Sequence, residues 1–350
     1  MELPCPEMER ILSDLMKKLA AGSTVLTVNS RLALHLHKDY QAWQQQQGQR
    51  CWPTPQIIPW NNWLQLQWQE CEFLRGGELP LMLAAEQCQT VWEAIIQSSP
   101  EVLLNIPATA RSAMQAWRVL QQWNLPLEVL VDDDNPDSRA FYGWAMAFQQ
   151  RCQQRHWLDE ASLPSWLCQA MQAGELPLPG HVLLMGFDEL TPQHRAVIEV
   201  MQGQGVEVES LEPAAAERSG VSLLSCADSL SEIRQVALWL RYWLARDETA
   251  AIGVVVPDLS DLRDDIERIF DEVLLPGAVL DLEQKPLRPY NISLGQPMAQ
   301  LPLIYSALNL LSALHGSTSL ASWSRLLLSP YLGGADQELS LRAQLDAALR

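Results

Sequence analysis

Two acidic side chains, Asp188 and Glu189, follow the apolar run "HVLLM" (181–185) and stand just before "LTPQ" (190–193). In a nucleotide-hydrolysing motor, a strand ending in Asp-Glu is where magnesium is held and the attacking water positioned. The same stretch also reads as a strand followed by a well-capped helix. Thr191 would be its N-cap, Pro192 its first residue, with acidic charge near the helix N-terminus. On composition both readings stand. A motor also needs the phosphate cradle G-x-x-x-x-G-K-[ST], and the chain contains no Gly-Lys-Ser/Thr. Gly22-Ser23-Thr24 precede a strand, whereas a P-loop follows one.

Other catalytic patterns are weak. His35 and His37 are two apart and face different directions on a helix. His156, His181, His194 and His315 have no recognisable Ser or Cys partner, and there is no G-x-S-x-G. "VVVPD" (254–258) is not followed by the lysine a metal-dependent nuclease needs. The acidic stretch "VDDDNPDS" (131–138) lacks the central Gly and distal Glu of a calcium loop and reads as a solvated turn. The seven cysteines lie far apart without a C-x-x-C pair, which argues against structural zinc and for a reducing, cytoplasmic setting. Neither ATP with magnesium nor any other cofactor is expected.

The elements that position these residues follow from periodicity. Residues 7–21 and 30–43 carry apolar positions at helical spacing on either side of the β-rich run "TVLTV" (24–28). "PQIIPWNNWLQLQW" (55–68) reads as a short strand and a helix. This alternation is the rhythm of a parallel α/β sheet. From 76 to 175 the strand signal fades into amphipathic helices separated by Pro and Asp/Asn punctuation. It returns at 181–185, "VEVESL" (206–211), "GVSLLSC" (220–226) and "AAIGVVVPD" (250–258), the last being the strongest strand signal in the chain. Residues 301–350 are helical again, with Leu303, Ala307, Leu308, Leu310 and Leu311 on one stripe.

The net charge of −18, from 24 basic and 42 acidic side chains, speaks against a broad electrostatic surface for DNA. Most of the fourteen tryptophans should be core, and a few could stack on bases. No apolar run reaches about 18 residues, so no membrane-spanning helix is expected.

Several stretches together resemble one family. "TVLTVNSRLALHLHKDYQAW" and "WPTPQIIPWNNWL" resemble the start of a bacterial group of DNA repair proteins related to AddB and RecC. "LLMGFDELTPQ", "SEIRQVALWLRYWL", "IGVVVPDLSDLRDDIERIF", "NISLGQPMAQLPLIYSALNLL" and "LLLSPYLGGADQELSLRAQLDAALR" resemble its later blocks in the same order. Members of that group have a superfamily 1 helicase-like shape and end in a PD-(D/E)XK nuclease domain. The resemblance implies a P-loop-NTPase-like α/β fold with parallel sheets and an all-helical insertion. It places Asp188 and Glu189 in Walker B positions, here degenerate. It also places Asn29, Ser30 and Arg31, then Trp60 and Asn61, in blocks that touch single-stranded DNA in active motors.

The expected organisation is a first helicase-like domain from 1–75 and 176–215 with a helical insertion at 76–175. The start of a second such domain would follow at 216–300, and a helical segment at 301–350. The chain stops inside a helical pattern at "LDAALR" without a nuclease motif, so a fragment of a longer nuclease-family protein is expected. The expected function is a non-motor DNA-processing module that binds single-stranded DNA weakly, working with a helicase or nuclease partner subunit. The alternatives are a divergent active NTPase and a protein-interaction scaffold without DNA contact.

Overall fold

A computed structural model describes residues 6–349, except 76–78, 102, 132–134, 212–219, 278–286, 296 and 317–318. Part of the acidic stretch 131–138 therefore lies outside the described residues. The chain divides into two compact units, residues 1–218 and 219–350.

The first unit opens with α1 (Pro6–Ala20), β1 (Thr24–Thr27), α2 (Ser30–Gln46), β2 (Ile57–Pro59) and α3 (Trp60–Arg75). Then come β3 (Leu81–Met82), α4 (Ala85–Gln97), α5 (Ile106–Gln122), α6 (Pro136–Arg155), β4 (Trp157–Leu158) and α7 (Leu163–Gln172). It closes with β5 (His181–Met185), α8 (Pro192–Gly203) and β6 (Glu207–Leu211). The fold is mixed α/β, and the main sheet has the order β2-β1-β5-β6 with every pair parallel. Val25 pairs with Ile57 on one side and with Leu183 on the other. The expected common sheet of residues 25–28, 182–185 and 206–210 is thus present.

Alternation along the central strands sends side chains to two apolar layers. Leu26, Val182 and Leu184 join Trp63 and Trp68 of α3, Leu167 and Met171 of α7, and Val197 and Met201 of α8. Val25 and Leu183 join Leu15, Met16 and Leu19 of α1 and Leu36 and Tyr40 of α2. A parallel sheet covered by helices on both faces needs continuous apolar strands, which is why "TVLT" and "VLL" lack polar alternation.

Segment 76–175 departs from the all-helical expectation in two ways. β3 and β4 form a separate parallel pair, Leu81 opposite Trp157 and Met82 opposite Leu158. Runs of two residues are too short to carry a periodicity signal. Helix α7 also shares the core of the main sheet, so the independent helical core comprises α4 to α6, around Trp92, Trp117 and Phe148.

In the second unit, α9 (Ser229–Leu244) and α10 (Leu259–Leu274) pack through Ile233, Ala237, Ile266 and Phe270. The expected strands at 220–226 and 250–258 are not paired in a sheet among the described residues. Ile252 and Val256 lie against the α9–α10 core, while Val255 is 93% exposed. An apolar β-branched run fixes an extended backbone, but only a neighbouring ladder makes it a strand. One main sheet, not two, is therefore described. Helices α11 (Pro302–Leu314), α12 (Leu320–Leu327) and α13 (Ala335–Leu349) follow, and no residue of α11 is buried. No described helix is long and apolar enough to cross a membrane.

Candidate nucleic-acid interface

Asn29, Ser30 and Arg31 sit where β1 becomes α2. Thr27, fully buried at the end of β1, donates its hydroxyl to the Asn29 carbonyl at 3.0 Å. Asn29 has extended backbone and caps α2, its side-chain oxygen accepting from the Leu32 amide at 2.9 Å. That bond satisfies one orphan donor of the helix and turns Ser30 and Arg31 outward. Asn29, Ser30 and Arg31 are all exposed.

Asp188 and Glu189 leave the neighbouring strand at the same edge. The Val28 amide donates to the Met185 carbonyl at 3.2 Å, extending the β1–β5 pairing beyond both strands. Gly186 then takes φ +80°, and a Cβ there would stand 2.6 Å from Leu32 Cδ2 and 3.1 Å from Val28 Cγ1. Only glycine allows both that backbone and that approach. The two strand-to-helix turns therefore abut. Asp188 and Glu189 are exposed beyond them.

Thr191 caps α8 as the sequence suggests. Its hydroxyl accepts from the His194 amide, and His194 Nδ1 accepts from the Thr191 amide, both at 3.3 Å. His194 is half-buried, and desolvation holds its imidazole below the usual histidine range. Its ring meets Trp60 edge-on, centroids 4.8 Å apart.

Trp60 is placed differently from a base-stacking platform. It is 4% exposed and packs against Trp63, Phe187 and His194. A bulky ring at the first turn of α3 gains more by joining the sheet core than by facing solvent. It braces the β2–α3 and β5–α8 turns against each other. Asn61 is exposed and borders a cleft of roughly 230 Å³ with Arg118, Glu160, Gln193 and His194. Composition did not single out Gln193 or Arg118. His194 could have been found from its capping-box spacing to Thr191.

At the opposite edge the structure supplies a partner that the sequence did not reveal for His181. Ser23 Oγ lies 2.8 Å from His181 Nδ1, and His181 Nε2 lies 3.7 Å from Glu209. Lys18 holds Glu209 at 2.6 Å, and its own pKa is raised chiefly by that bond. Ser23 is only 6% exposed, so this line of groups joins α1 to β5 and β6 and does not present a nucleophile. Burial pushes the thiols of Cys88 and Cys152 up to about 12 and that of Cys168 to about 11, which removes them as nucleophiles at neutral pH.

Among the described residues, no three His, Cys, Asp or Glu side chains are grouped to hold a metal ion. The edge offers hydrogen-bonding groups and an arginine at a helix N-terminus, an arrangement suited to binding. No protein-family model matches this chain, and no curated protein matches it.

Proposed function

We propose that the first unit is a helicase-like, non-motor DNA-processing module that guides a single DNA strand along the carboxyl edge of its parallel sheet. The observation that carries this is the abutment of the β1–α2 and β5–α8 turns, through Val28, Met185 and Gly186. Open parallel sheets bind ligands in the crevice outside their strand carboxyl ends. Asn29, Ser30, Arg31 and Asn61 all sit at that edge and are exposed. The relation to AddB- and RecC-like repair proteins of superfamily 1 shape draws on the ordered sequence blocks. An Asp-Glu pair after a central strand supports it. Asp188 and Glu189 are retained without a motor role, because the chain has no Gly-Lys-Ser/Thr to hold a triphosphate. The proposed setting is the cytoplasm, beside a nuclease or helicase subunit.

The test is titration of a fluorescent single-stranded oligonucleotide into the protein at several salt concentrations, with a parallel melting scan in ATP and magnesium. Weak, salt-sensitive binding and an unchanged melting temperature are expected. Absence of binding at low salt would remove the DNA role. A nucleotide-induced rise in melting temperature would instead favour a divergent NTPase.

A second reading, a protein-interaction scaffold, is favoured by α11. Leu303, Leu311 and Leu314 of that helix are 59%, 54% and 76% exposed. Apolar helical surface of this kind marks contact sites for protein partners.

A further inference from the structure

A groove of about 410 Å³ runs between α5, α6, β4 and α7. That volume falls within the range of roughly 300–1,000 Å³ typical of small-molecule sites. Its walls include Trp157 and Trp166, both half-buried. Trp166 meets Trp68 edge-on, centroids 4.9 Å apart, and the Arg75 guanidinium lies over its ring, 5.6 Å from the ring centre. Four glutamines from three helices, Gln121, Gln149, Gln153 and Gln169, line the same groove. No protein group among the described residues hydrogen-bonds their side-chain amides.

The lining contains no Lys or Arg, so no ammonium or guanidinium group is there to anchor a phosphate. Its one carboxylate is already committed. Asp159 accepts from Trp117 Nε1 at 3.0 Å, from the Ala161 amide at 3.1 Å and from the Ser162 hydroxyl at 2.6 Å. What remains is aromatic surface, the His156 imidazole, the Ser165 hydroxyl and four amides, each amide with a donor and an acceptor side by side. An uncharged planar ring with a mixed donor–acceptor edge matches that chemistry. With a net charge of −18, the protein must also gain affinity for a nucleic-acid strand from its bases more than from its phosphates.

We propose that this groove takes an unpaired nucleobase, stacked on Trp157 or Trp166 and met at its edge by the glutamine amides. As the source of that base, the inference rests on the single-strand function proposed above. The groove and the carboxyl edge remain separately testable, because the groove should accept a nucleoside that carries no phosphate.

The experiment is an indole ¹⁵N–¹H spectrum of the full chain, titrated with each of the four deoxynucleosides and then with a single-stranded oligonucleotide. Trp157 and Trp166 resonances would be assigned from Trp→Phe variants. Both should shift with nucleoside, with a midpoint that does not move between about 50 mM and 200 mM salt. The exposed double variant Gln149→Leu/Gln153→Leu should weaken nucleoside binding at least about fivefold, the loss expected when two modest hydrogen bonds are removed. It should leave the salt slope for the oligonucleotide unchanged. Nucleoside binding without oligonucleotide binding would keep the groove and remove the strand-guiding function. Oligonucleotide binding with silent Trp157 and Trp166 resonances would overturn the groove alone. Equal responses to a cello-oligosaccharide or a proline-rich peptide would overturn it too, by showing a general aromatic groove.

Discussion

Gly186 and Leu32 lie against each other although they belong to different crossovers of the sheet. A Cβ at position 186 would stand 2.6 Å from Leu32 Cδ2, with the backbone at φ +80°. Gly186→Ala therefore meets two penalties, a left-handed backbone and a side chain without room. Together they should cost on the order of 2–4 kcal/mol. Leu32→Ala in the same chain should recover the steric part and leave the backbone part. Denaturant unfolding of the three variants checks this, and additive losses would mean that the contact is not shared.

His194 gives the fold a pH dependence with a defined sign. Burial lowers its pKa from the ordinary 6.5, and its Nδ1 is engaged as an acceptor from the Thr191 amide. Below about 6.5 the unfolded chain takes up a proton that the folded chain resists, so this contribution is complete above that pH and declines as pH falls through it. His194→Asn keeps an acceptor near Nδ1 and removes the titration. Its melting temperature should fall less than that of wild type between neutral and mildly acidic pH. Parallel curves for the two proteins would show that His194 does not contribute.

Trp60 separates a structural from a ligand-contacting role. As a buried strut against Phe187 and His194, its replacement by alanine should cost about 3–5 kcal/mol. Trp60→Phe retains a ring in the core and should bind an oligonucleotide as wild type does under conditions where both are folded. A stable Trp60→Phe protein with weakened binding would return the indole to the interface.

The two central strands of the main sheet were legible because a doubly covered strand must be largely apolar on both faces, as "TVLT" and "HVLLM" are. The cap of α8 was legible from Thr191-Pro192, since the residue types suit those positions chemically. The orientation of Trp60 was not, because composition favours the core for most tryptophans without saying which few face outward. Pairing was the other blind spot. "AIGVVVP" specifies an extended chain, yet Val255 is exposed and the run has no ladder partner among the described residues. The contact between Ser23 and His181 spans 158 positions of sequence, and no local spacing rule reaches that far.

Arg31 is the cation best placed to meet a strand at the carboxyl edge. It stands exposed in the first turn of α2, directly after Asn29 has capped that helix. The partial positive charge of the helix N-terminus adds to the guanidinium, and the Ser30 hydroxyl is available beside it. Long-range attraction cannot assist, with 42 acidic side chains against 24 basic ones. Affinity must therefore come from a short list of local contacts, and losing one of them should be conspicuous. Arg31→Ala should weaken oligonucleotide binding across all sequences and reduce the slope of log affinity against log salt by about one. Stability should change by no more than about 0.5 kcal/mol, as for other surface substitutions. Titrations of wild type and variant at several salt concentrations supply both the affinity and the slope. Superimposable curves would take Arg31 out of the interface and leave the exposed leucines of α11 as the better guide to what this protein contacts.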